Sequence, residues 1–121
     1  MSKTDENLKA AVAGESLDRD RYSYFAEMAQ KEGYRYIGKI FEEIAENEKY
    51  HAMEELKLLM GERDTLTNLK ESVDGERYES EEMYPRYATE AEVEGNRTAT
   101  ILFQQISKIE KKNHDRFKTL R

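Results

Sequence analysis

The sequence predicts an all-α protein of four helices arranged as two matching hairpins, and three observations carry that reading. Apolar residues recur at three- and four-residue steps through almost the whole chain. The 121 residues contain one Pro and six Gly, few enough breakers for long helices, and a charged fraction of 38% suits solvated outer faces around one modest core. The first half is also repeated in the second.

The repeat is ungapped where it is clearest. The stretch from Thr4 to Glu15 reappears from Thr65 to Glu76, both fitting Thr-x-x-Asn-Leu-Lys-x-x-Val-x-Gly-Glu. Further on, Gly33 matches Gly95, Phe41 matches Phe103, Ile44 matches Ile106, and Glu48-Lys49 matches Glu110-Lys111. Between these blocks the second copy is one residue longer, and the extra residue falls near Pro85.

Punctuation sets the element limits. Thr4 and Thr65 are suited to cap helix N-termini. Gly33 and Gly95 stand where a helix ends and a tight turn begins. Gly61, with Glu62, Arg63 and Asp64, separates the halves. The four helices are expected at about Thr4–Lys31, Tyr34–Met60, Thr65–Val93 and Asn96–Leu120, in a single domain covering residues 1–121. Pro85 should kink the third, because it lacks a backbone donor and crowds the preceding turn.

Each helix has a stripe expected to face the core. The first gives Leu8, Val12, Glu15, Tyr22 and Ala26; the second Ile37, Phe41, Ile44, Glu48 and His51. The third gives Leu69, Val73, Glu76, Glu79, Met83 and Tyr87; the fourth Ala99, Phe103, Ile106, Glu110, Asn113, Phe117 and Leu120. All four are apolar until mid-helix, and a glutamate then interrupts each. One such glutamate is ordinary, since it can snorkel to water or pair with an arginine such as Arg19 or Arg21. Four at matching places in a duplicated hairpin call for a shared cause. Glu15 and Glu48 lie at similar distances from the Gly33 turn, as Glu76 and Glu110 do from Gly95, so antiparallel packing brings each pair level.

Carboxylates converging in a low-dielectric core repel one another unless they protonate or a cation supplies counter-charge. In Glu48-x-x-His51 the carboxylate and the imidazole share a helix face, so one can bridge two metals while the other ligates one. Oxygen-rich ligation with one or two imidazoles suits iron or manganese. A glutamate from each of two helices with Glu-x-x-His from the others is the di-metal arrangement of carboxylate bundles.

These residues resemble the rubrerythrins of the ferritin-like superfamily over nearly the whole chain. The resemblance is carried by Ala13-Gly14-Glu15-Ser16, Arg21 to Ala26, Ala45 to Ala52, Gly75 to Glu79, Glu82 to Pro85 and Ala91 to Gly95. It implies a ferritin-like four-helix bundle with two iron ions, manganese or a mixed pair being the other occupants. Glu15, Glu48, His51, Glu76, Glu79 and Glu110 would be ligands, with Glu79 exchanging for His51 as the redox state changes. Tyr22 and Tyr84 would donate to the bridging carboxylates. The implied activity is reduction of hydrogen peroxide to water.

The chain departs from the family pattern in two places. Rubrerythrins often carry a cysteine-ligated rubredoxin-like iron domain. With no Cys before Arg121, electrons are expected from a separate donor such as a rubredoxin-type protein. The family's second Glu-x-x-His should end at position 113, which is Asn113, with His114 one place on. Imidazole is a far better iron ligand than a neutral amide, so His114 is expected to complete the site through an over- or under-wound turn. Asp18, in Glu15-x-x-Asp18, is either an extra carboxylate or a solvated partner for Arg21 or Arg19.

The net charge of −6 provides no basic stripe for nucleic acid or an anionic membrane. The absence of Cys excludes disulfides and iron–sulfur centres, and no apolar run approaches the ~20 residues of a membrane span, so a cytoplasmic protein is expected. The linker from Gly61 to Asp64 is too short for the long crossover of a ferritin-like bundle. Either the third helix turns back beside the second in a simple up-down-up-down bundle, or the second hairpin completes a partner's first; the ferritin-like resemblance implies the latter, a domain-swapped homodimer. Two other functions fit the residues: a ferroxidase that handles iron, and a structural bundle whose site has decayed at Asn113.

Overall fold

Short polar side chains set where the helices begin. Ser2 accepts a hydrogen bond from the Asp5 amide at 3.0 Å, and Asp64 accepts one from the Thr67 amide at 2.7 Å. The caps are therefore Ser2 and Asp64 rather than Thr4 and Thr65. A side-chain oxygen just outside the helix reaches the third amide beyond it, and the threonines stand one or two residues too far in. Asn96 caps the last helix in the same way through the Ala99 amide at 3.0 Å.

The computed structural model describes residues 2–121. Its elements are α1 (Lys3–Lys31), α2 (Arg35–Met60), α3 (Thr65–Tyr78), a π-helical turn (Glu79–Met83), α4 (Tyr84–Val93) and α5 (Arg97–Thr119), with no strand among the described residues. The expected third helix is thus α3, the π turn and α4 in succession. The chain divides into two units, one reaching Glu62 and the other Arg63–Arg121.

Each unit is a helical hairpin closed by the same turn. Gly33 and Gly95 have φ of 88° and 77°, a region open to glycine at little cost. At the first turn the Tyr34 amide bonds the Ala29 carbonyl at 2.8 Å and the Gly33 amide the Gln30 carbonyl at 3.1 Å. At the second, Asn96 bonds Ala91 at 2.9 Å and Gly95 bonds Glu92 at 3.0 Å. These paired bonds satisfy carbonyls that a helix end leaves free, and they stop the helix where a glycine permits reversal.

In the first unit α1 packs on α2; in the second α3, the π turn and α4 all pack on α5. The buried apolar residues are Ala26, Ala29 and Ala45 in one hairpin and Val73, Ala88 and Ala91 in the other. Small side chains let the paired helices approach closely, and aromatic rings fill the level above. Tyr22 and Phe25 lie against Phe41, with centroids 6.0 and 5.6 Å away; Tyr84 and Tyr87 lie against Phe103 at 6.1 and 5.6 Å. The repeat seen in the sequence is thus a repeat of packing.

Of the stripes expected to face a core, Ile37, Ile44, His51 and Leu120 remain exposed. A two-helix hairpin covers only the facing side of each helix, which accounts for them.

Candidate metal centre

Each hairpin gathers one group of three ligand-type side chains. In the first, Glu15 from α1 meets Glu48 and His51 from α2; in the second, Glu76 from α3 and Glu79 from the π turn meet Glu110 from α5. Within each group the nearest ligand atoms lie within 4.8 Å of one another. The levels follow from similar distances along the helices on either side of each glycine turn, and the three-residue step from Glu48 to His51 keeps both on one face.

The electrostatics are those of carboxylates held too close. Glu48 is pushed above the usual carboxylate range, first by a hydrogen bond with Glu15, then by burial and the Glu15 charge, with His51 opposing. Glu79 is raised first by a hydrogen bond with Glu110, then by burial and the Glu110 charge. Glu110 is raised by a hydrogen bond with Glu76 and by burial. Such crowding favours proton sharing unless a cation supplies the counter-charge. His51 Nδ1 stands 3.4 Å from Glu15 Oε2, yet that oxygen is buried and makes no hydrogen bond, and Glu76 Oε2 is in the same condition. Buried carboxylate oxygens without donors, one of them beside an imidazole, fit a hard or borderline metal cation.

The remaining sequence candidates divide. Tyr84 is raised by burial first and then by Glu110 and Glu79, so its phenol stays protonated beside the second group. Tyr22 packs on Phe25 and Phe41. Asp18 does not join the first group; it pairs with Arg21 at 3.6 Å. His114 is largely enclosed, with Nδ1 3.0 Å from Asp115 Oδ1 and Nε2 buried without a partner, and it stands outside the Glu76, Glu79 and Glu110 group. The unusual winding expected beside His114 is absent: α5 is regular there, and the π turn lies at Glu79–Met83 instead. The extra residue of the second copy has to be accommodated in the third helix, which is where the winding changes.

One buried carboxylate escaped the sequence reading. Glu55 Oε1 is enclosed without a hydrogen-bond partner, one turn beyond His51 on α2. The steps from Glu48 to His51 to Glu55 continue the same stripe, which was the available signal.

The rubrerythrin family model matches residues 6–121. The chain belongs to the rubrerythrin family. Its fold class is accordingly all-α and ferritin-like, with the duplicated hairpins as its two halves. Similar rubrerythrins include that of Clostridium perfringens, 41% identical over 98% of this chain, and that of Porphyromonas gingivalis, 38% identical over 98%. The rubrerythrin of Nitratidesulfovibrio vulgaris is 37% identical over 96%. The chain spans 70%, 66% and 68% of the lengths of these relatives. Family membership and the two ligand groups together make this a di-iron type of protein with an oxidoreductase role in the broad sense. Among the described residues no helix is long and apolar enough to cross a membrane.

Proposed function

We propose that this rubrerythrin is a di-iron protein that reduces hydrogen peroxide to water, with the residues of the two ligand groups as its metal ligands. The observation that carries the reading is that each hairpin, at matching places in the repeat, offers three ligand-type side chains of the carboxylate-rich kind that a two-metal site uses. A ferrous pair bound there supplies the two electrons that, with two protons, convert one peroxide into two waters, and a separate electron-donor protein restores them.

The chain's own residues do the rest. Glu48, grouped with Glu15 and His51, would be a shared carboxylate ligand of a bound metal pair. Glu79, grouped with Glu76 and Glu110, would supply a further carboxylate ligand. The Tyr84 phenol, kept protonated by burial and by the neighbouring Glu110 and Glu79 charges, would donate to the carboxylates around it when they hold metal. Tyr22 serves as its counterpart in the first hairpin, and His114 would add a second nitrogen ligand.

Iron analysis, together with stopped-flow oxidation of the reduced protein by peroxide and by dioxygen, tests this. The expected result is about two iron ions per site and faster reaction with peroxide. Rapid oxidation of added ferrous iron with slow peroxide turnover assigns a ferroxidase instead. A protein metal-free after growth in iron excludes both.

A further inference from the structure

The chain carries its own control for what the π turn does. Glu15-x-x-Asp18 on α1 and Glu76-x-x-Glu79 on α3 occupy matching places in the repeat. Asp18 lies in regular helix and pairs with Arg21, whereas Glu79 opens the π turn and stands with Glu76 and Glu110. After the turn the halves are back in phase: Tyr84 matches Tyr22, and buried Ala88 and Ala91 match buried Ala26 and Ala29. The packing of those residues on both sides requires that one extra residue be absorbed between them. It does not dictate where.

The backbone bonds around the turn are satisfied in an unusual way. The Tyr84 amide reaches back five residues to the Glu79 carbonyl, so the Ser80 carbonyl loses the amide it would have in regular helix. The next amide along belongs to Pro85, which has no hydrogen to give. Ser107 of α5 fills the gap: its hydroxyl donates to the Ser80 carbonyl at 2.8 Å. The place of Ser107 in the first hairpin is held by buried Ala45, where there is no π turn and no hydroxyl. Pro85 blocks the extra residue from moving toward α4, and Ser107 blocks it from moving toward α3.

We infer that Ser107 is a positioning residue for the metal site: by satisfying the Ser80 carbonyl it pins the π turn at Glu79–Met83, and so holds Glu79 beside Glu76 and Glu110. Without that hydroxyl the buried Ser80 carbonyl recovers the Tyr84 amide, because an unpaired buried carbonyl is costly. The extra residue then slips toward α3, and Glu79 turns away by roughly the 100° that one helical residue subtends. What Glu79 binds rests on the di-iron reading; how it is held does not.

Two measurements on the full chain test this separately. In the metal-free protein, the NMR coupling across the Tyr84 N–H to Glu79 carbonyl bond is expected in the wild type and in Ser107→Thr. In Ser107→Ala and Ser107→Val it should be replaced by coupling to the Ser80 carbonyl. Val and Thr have nearly the same shape, so their difference isolates the hydroxyl even if Ser107→Ala folds poorly. In anaerobic ferrous titrations, Ser107→Val should weaken binding about tenfold relative to Ser107→Thr, at the lower end for supporting residues around metals. That loss should vanish in a Glu79→Gln background. Persistence of the Tyr84–Glu79 coupling in Ser107→Val overturns the inference, as does an equal loss of iron in both backgrounds. A wild type that keeps the coupling yet binds no iron overturns the di-iron reading alone.

Discussion

His114 and Asp115 form a neighbouring pair in which Nδ1 and Oδ1 are 3.0 Å apart, while the imidazole Nε2 is buried with no partner. The carboxylate favours the tautomer with its proton on Nδ1 and leaves a lone pair on Nε2 inside the second hairpin. A carboxylate behind a histidine is the usual support for a metal-ligating imidazole. His114 is one turn from Glu110 on α5, in the hairpin whose ligand group contains only carboxylates. His114→Ala is therefore expected to lower bound iron from about two to about one per site, with Asp115→Ala weakening affinity less. Unchanged iron content and an unchanged visible spectrum in His114→Ala would transfer the position to Asn113 or to water.

Much of the centre was legible because charge on an apolar stripe is conspicuous. Glu15, Glu48, His51, Glu76 and Glu110 each break a helical pattern, and the repeat places them level in pairs. Gly33 and Gly95 were legible because a reversal there demands positive φ. The extra residue near Pro85 was visible too, but its form was not. An added residue can kink a helix, loop out or widen one turn, and the choice rested on a hydroxyl across the hairpin at Ser107, far away in sequence. Asp18 and Glu79 looked alike for the same reason. Ser2 and Asp64 cap more strongly than the threonines that follow them, and only their position just outside the helix distinguishes them as the caps.

The crowded carboxylates make the metal-free protein sensitive to pH. Glu48, Glu79 and Glu110 are all raised above the ordinary value of 4.5 in the folded state. A raised folded pKa contributes stability that is complete below the unfolded value and is lost as pH rises through the folded one. The melting temperature of the metal-free protein should accordingly fall as pH is raised from about 4.5 toward neutrality. Iron should reverse that slope, because it binds the deprotonated carboxylates of the folded state. Calorimetry across this range, with and without iron, measures both slopes. Glu79→Gln should flatten the metal-free one.

The glycines separate backbone strain from packing. A Cβ added at Gly33, Gly61 or Gly95 would meet nothing within 4 Å, so any cost of alanine there comes from the main chain. Gly95, with φ of 77°, closes a helix, and Gly95→Ala should cost about 1 kcal/mol. Gly61, at φ 69° and ψ −167°, occupies a region essentially reserved for glycine, and Gly61→Ala should cost about 2–3 kcal/mol. Denaturant unfolding of both variants checks the order. Equal losses would mean that the linker relaxes to another conformation.

Residues 61–64 also bear on how one site is completed. α2 has 26 residues and so is roughly 39 Å long, whereas a four-residue link fully extended spans only about 14 Å. A ferritin-like bundle with a long crossover cannot be closed by that link. The proposed arrangement is a homodimer in which Glu15, Glu48 and His51 of one chain meet Glu76, Glu79, Glu110 and His114 of its partner. Co-expression of a Glu48→Ala chain with a Glu110→Ala chain, each carrying its own affinity tag, distinguishes exchange from a bundle closed within one chain. In an exchanged heterodimer one site combines both lesions and the other combines two intact hairpins. Doubly purified heterodimer should then hold about half the wild-type iron, while either variant alone holds little. If each chain closes its own bundle, every site in the heterodimer keeps one lesion, and iron stays at the level of the single variants. A wild-type monomer in solution that holds two iron ions would rule out the exchange.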